Sequence, residues 1–155
     1  MIPEHLKYSH THVWFYKDNK SITAGLTKVI IDKLDKLLFL DLPKVGEEIL
    51  SNISFGEVES HSMLLDIMAP LAGEVIAVNE RLYENLDTLS KDPYKQGWLI
   101  KFTTSESHII DRLLSAPEYM AHVTKGPSVT QKVHFVNPLP HKKRPVKIVK
   151  KKTRK

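Results

Sequence analysis

The stretch from Phe55 to Pro70 constrains the chain most, because it reads as two short strands meeting at a polar turn and closing on Ala69-Pro70-Leu71-Ala72-Gly73. Its neighbours have the same character. Tyr8 to Tyr16 is rich in aromatic and β-branched residues, Lys17-Asp18-Asn19-Lys20 reads as a turn, and Ser21 to Leu26 follows as a second strand, which predicts a hairpin. Leu37 to Pro43 reads as a strand ended by proline, with Lys44-Val45-Gly46 as its turn. Gly73 to Asn79 reads as a return strand. From Trp98 to Thr103, Trp98, Ile100 and Phe102 alternate with Lys101 and Thr103, the pattern of a half-buried strand. Many short strands separated by turns favour a sandwich or barrel over a parallel sheet.

Helices enter at the margins. Thr27 is placed to cap a helix over 28–36, in which Ile30, Ile31 and Leu34 form one apolar stripe. His108 to Leu114 has helical spacing, and Ser115-Ala116-Pro117-Glu118 is a capping-box pattern in which the proline is tolerated because a first-turn amide needs no partner. Glu80 to Gln96 reads as polar and turn-rich.

At 155 residues with 41% apolar residues, one compact domain with an extension is expected. The chain has no cysteine, which removes disulfides, thiolate nucleophiles and cysteine zinc sites together. No apolar run approaches the roughly 20 residues of a bilayer span, and Met1 to Lys7 has neither a secretion signal's apolar core nor an arginine-rich presequence pattern. A cytoplasmic protein is expected. The formal charge of +5 conceals a segregation: all 18 acidic residues lie at or before Glu118, whereas 11 of the 23 Lys and Arg lie at or after Lys125. Residues 1–123 therefore carry 12 cations against 18 anions, a net −6, and residues 124–155 carry +11. The first part is expected to be the folded domain. The second, rich in proline and like charges, is expected to be a disordered basic tail, in which Thr130 to Val136 could serve as an added strand or docking segment.

Several separated motifs, in order, resemble those of the glycine cleavage system H protein family. They are Tyr8-x-x-x-His12-x-Trp14, Leu42-Pro43-x-Val45-Gly46, Phe55-Gly56-x-Val58-Glu59-Ser60, Asp66-Ile67-x-Ala69-Pro70-x-x-Gly73, Asp92-Pro93-Tyr94-x-x-Gly97-Trp98-Leu99 and Leu113-Leu114-Ser115-Ala116-x-Glu118-Tyr119. The resemblance runs from about Tyr8 to His122. It implies a mainly β fold with flanking helices, a lipoyl-like barrel-sandwich hybrid of two small antiparallel sheets. It also implies a carrier whose lipoyl arm takes an aminomethyl group from a pyridoxal-dependent decarboxylase to an aminomethyltransferase and is reoxidised by a dehydrogenase. The family's hairpin carries that arm on a lysine; here Ser62 stands at the corresponding place.

Lipoate is attached through an amide, which needs a primary amine on a long stem, and a serine hydroxyl offers neither. No lysine lies between Val45 and Ser90 to take over. The expectation is therefore a binding or regulatory module without lipoate or catalytic residues of its own, presenting Glu59, Ser60, His61, Ser62 and Asp66 on the hairpin surface. The alternative is a working lipoyl carrier of glycine cleavage. His61 beside Ser62 is a poor base for it, since adjacent strand residues face opposite sides. Glu57, Glu59 and Asp66 form an acidic surround, read as a solvated rim or a docking surface. His10 and His12, two apart on one strand, are metal-compatible in spacing but lack a third local ligand, and no metal site is expected. Lys142, Lys143, Arg144, Lys150, Lys151, Lys152, Arg154 and Lys155 are the candidate contacts for a polyanion such as RNA or an anionic membrane, with salt-dependent binding. Glycine cleavage or lipoate-pathway proteins are the candidate protein partners, and a monomer is expected.

Overall fold

The computed structural model describes residues 2–125; the tail contacts and Thr130 to Val136 lie outside them. The strands are β1 (Lys7–Tyr8), β2 (Val13–Lys17), β3 (Ile22–Leu26), β4 (Leu37–Asp41), β5 (Glu48–Ile49), β6 (Gly56–Ser60), β7 (Leu64–Ile67), β8 (Gly73–Val78) and β9 (Ile100–Thr103). The helices are α1 (Lys28–Lys33), α2 (Arg81–Glu84), α3 (Thr88–Lys91), α4 (His108–Asp111) and α5 (Ala116–Lys125). All pairings are antiparallel, in a six-stranded sheet ordered β1-β2-β3-β9-β8-β5 and a three-stranded sheet ordered β4-β6-β7. This is the two-sheet, mainly β architecture expected.

Alternation explains how the layers meet. Along β2, Val13 and Phe15 join the main core with Ile22, Ala24, Ile100 and Phe102, where they meet Val58, Leu65 and Ile67 of the small sheet. Trp14, between them, points to the opposite face and joins a second cluster with Leu6, Tyr8, Ala116 and Tyr119 under α5. An aromatic strand is thus buried on both sides, by a sheet and by a helix. Gly25 makes this possible, because a Cβ there would lie 2.6 Å from the Trp14 ring.

The predicted Tyr8 to Tyr16 strand is in fact two. The chain turns between Ser9 and His12, where His12 adopts φ 72°, and β1 folds back to pair Tyr8 with Trp14. The Ser9 hydroxyl stabilises the turn by accepting the amides of Thr11 and Val13 at 3.3 and 3.2 Å. Glu80 to Gln96 likewise holds two single-turn helices, each burying one leucine, Leu82 and Leu89. Buried Asn79 closes this segment by donating its side-chain amide to the carbonyls of Gln96 and Trp98, both at 2.8 Å.

The predicted caps form. Thr27 accepts the Ile30 amide, although α1 stops at Lys33, short of the expected Lys36. At α5, Glu118 accepts the Ser115 amide at 2.9 Å while Ser115 accepts the Glu118 amide at 3.3 Å, the reciprocal capping box. These bonds hold the Glu118 carboxyl below its ordinary 4.5, the Ser115 amide contributing most. A lowered folded value means stabilisation that is present above 4.5 and lost as pH falls through the folded value. Glu118→Gln is therefore expected to be less stable than the parent at pH 7, with the difference vanishing in acid. Urea unfolding across pH 2–7 checks this, and a difference that stays constant with pH refutes it.

Candidate functional site

The hairpin β6–β7 places the candidate residues. Val58 and Leu65 pair on the core face, so their neighbours Glu57 and Glu59 on β6, and Leu64 and Asp66 on β7, fall on the other. Gly56 lets β4 approach, since a Cβ there would sit 2.6 Å from the Asp41 carbonyl oxygen. At the tip, Ser60 is buried and works inward: its amide donates to the Met63 carbonyl at 2.9 Å, and its hydroxyl oxygen accepts the amides of Ser62 and Met63, both at 3.2 Å. Of the five hairpin residues named from sequence, Glu59, His61 and Ser62 are exposed, Asp66 is half-buried, and Ser60 is the staple that shapes the turn.

Two residues that sequence reasoning missed complete the tip. The Ser62 hydroxyl donates to an Asp35 carboxylate oxygen at 3.3 Å, and the His61 amide donates to the Lys36 carbonyl at 3.1 Å. The sequence pattern places Asp35 and Lys36 at the end of a helix over 28–36. Because α1 ends early, they form instead a short exposed ledge that receives the hairpin. The sequence signal for them was weak, a charged pair just before a strand. Their position also qualifies the argument from lysine spacing: the hairpin has no lysine of its own, yet an exposed lysine from another element is rooted against its tip.

The acidic surround is not a uniform rim. Asp41, Glu57 and Asp66 occupy directly opposed positions across β4, β6 and β7 on one face of the small sheet. Asp41 and Glu57 are 1% and 8% exposed, so these two carboxylates are buried within the small sheet, and Glu59 is the exposed member.

The chemistry of the tip is that of a presented polar turn. Among the described residues, no hydrogen bond joins His61 to Ser62, so the pair is not arranged as nucleophile and base. His10 and His12 do not share a strand face, because the turn intervenes. The rings of His10 and His12 lie 4.6 and 6.4 Å from that of His122 on α5, and His12 Nδ1 hydrogen-bonds the Tyr119 hydroxyl at 2.6 Å. Among the described residues, no group of three or more His, Asp or Glu side chains has the geometry to hold a metal ion, and no helix is long and apolar enough to cross a membrane.

Two antiparallel sheets around one core, with a hairpin offering a polar tip, define a lipoyl-like β-sandwich domain. A sequence model of the family described as Glycine cleavage H-protein matches residues 6–126. Relatives named glycine cleavage system H protein include one from Carboxydothermus hydrogenoformans, 39% identical over 119 residues, covering 77% of this chain and 92% of that protein. Another, from Bacteroides thetaiotaomicron, is 36% identical over 121 residues, covering 78% of this chain and 96% of its own. The crystal structure of a glycine cleavage system H protein from Mycobacterium marinum superposes with a TM-score of 0.73 at 31% identity, covering 81% of this chain and all of that one. The chain belongs to the glycine cleavage H-protein family.

Proposed function

We propose that this protein is an H-protein-like binding or regulatory module that does not carry lipoate, lacks catalytic residues of its own, and contacts glycine cleavage or lipoate-pathway proteins in the cytoplasm through its hairpin face. The observation that carries this reading is the side chain at the tip: Ser62, exposed at the turn, uses its hydroxyl to bind Asp35. A short hydroxyl engaged with a carboxylate provides no amine for an amide and no reach for a swinging arm. Glu59, His61 and Ser62 remain accessible and give the hairpin a contact surface.

A second reading, a working carrier, draws support from Lys36. Its carbonyl accepts the His61 amide at 3.1 Å, so a primary amine on a long stem starts beside the tip even though none lies on the hairpin. Intact mass of the protein from its native host, followed by peptide mapping, separates the two. The unmodified mass is expected; a lipoyl increment on any residue overturns the first reading, and an increment on Lys36 establishes the second.

A further inference from the structure

A groove of ≈520 Å³ lies on the α5 side of the domain, with Ile2, Val29, Tyr94 and Met120 among its walls. Met120 is 38% exposed within it. Its lining also includes Glu4, Asp32 and Lys28, the last bound to Asp32 at 3.0 Å. Nothing in the hairpin's role uses this surface. It is an apolar slot with a polar border, and one of its walls is the helix that ends where the described chain ends.

We propose that the groove is the docking site for the chain's own residues Val133 to Val136, held there by Val133 and Phe135. Three observations select this occupant. The first is chemistry. Phe135 is the only Phe, Trp or Tyr among residues 126–155, and Val133 and Phe135, two apart, present one apolar side when extended.

The second is charge. Residues 126–155 carry ten Lys and Arg and no acidic residue, whereas residues 1–123 carry a net −6. A segment placed on this domain is therefore drawn to it rather than repelled.

The third is reach. Met120 and Ala116 are five and nine residues before Lys125 on α5, about 7.5 and 13.5 Å along its axis. The eight residues from Lys125 to Val133 span up to about 26 Å when extended. The segment returns along its own helix with chain to spare. A second groove, bordered by Glu48, Glu74 and Glu106 beside β5, offers more negative charge. It lies at the far edge of the six-stranded sheet from β1, against which α5 packs, and it offers the aromatic ring no comparable apolar wall.

Because the chain has no cysteine, His134→Cys gives a single site for a nitroxide spin label in the full-length protein. In ¹⁵N spectra of that protein, the amides of Val29, Tyr94 and Met120 are expected to lose intensity, and Phe135→Ser in the same background is expected to restore it. Mixing spin-labelled protein at natural isotopic abundance with unlabelled ¹⁵N protein is expected to leave the ¹⁵N intensities intact. Intensity loss around Glu48 and Glu74 instead, loss that survives Phe135→Ser, loss in the mixed sample, or no loss at all would each overturn the proposal.

Discussion

Tyr119→Ala is expected to cost about 3–5 kcal/mol of stability, the range for removing a large aromatic from a packed core, and to lower Tm by about 10 °C or more. Tyr119 is fully buried, stacks on Tyr8 with ring centroids 5.0 Å apart, and joins three elements through one oxygen. Its hydroxyl meets His12 Nδ1 at 2.6 Å and the Thr27 hydroxyl at 2.8 Å. Thr27 in turn caps α1, and His12 holds the left-handed turn between β1 and β2. Truncation therefore empties a cavity and unties a helix cap, a turn and α5 together.

Tyr119→Phe separates these terms. It keeps the ring, and removing the hydroxyl from two buried polar groups is expected to cost about 1–3 kcal/mol. Burial pushes the Tyr119 phenol well above its usual 10, with the Thr27 bond acting in the opposite direction. A raised folded value means stabilisation that is complete below pH 10 and lost as pH rises toward the folded value. Tyr119→Phe should accordingly flatten part of the loss of stability in alkali; the remainder includes Tyr8 and Tyr94, whose phenols burial also raises. Urea unfolding at pH 7 and pH 10.5 measures both effects. Equal costs for the alanine and phenylalanine variants would mean that packing contributes nothing, contrary to the expected ranking.

The parts of this architecture that were legible in the sequence are those set by residues close together in the chain. The Ser115–Glu118 box needs only a three-residue spacing, and Thr27 needs only the helix that follows it. The β6–β7 hairpin is fixed by its alternation and its polar tip. What escaped was set by distant partners. The break between β1 and β2 arises because Tyr8 gains the Leu114 backbone on one side and Trp14 on the other, and no local pattern announces a bridge more than a hundred residues long. The single turns α2 and α3 bury one leucine each, too little for a helical period to stand out. The same division runs through the site. Ser62 could be placed at the tip because the hairpin is local, whereas its partner Asp35 is 27 residues away and was hidden by a helix expected to continue through it.

That unrecognised partner determines what an amine introduced at the tip would meet. Ser62→Lys puts a primary amine on an exposed turn whose backbone Ser60 already fixes, so a lipoate ligase is expected to modify it where the parent stays unmodified, a change from none to stoichiometric by intact mass. The Asp35 carboxylate, 3.3 Å from the present hydroxyl, opposes the reaction: an adjacent anion favours the protonated ammonium, and only the neutral amine attacks. Exposed ion pairs contribute about 0–1 kcal/mol, so adding Asp35→Asn should speed acylation by up to about five-fold. Modification at equal rates in the two variants would show that Asp35 exerts no hold on the amine. Failure of both to accept lipoate, in variants with parental stability, would mean that the surface read by the ligase has diverged along with the acceptor, so that the serine is one of several changes and not the decisive one.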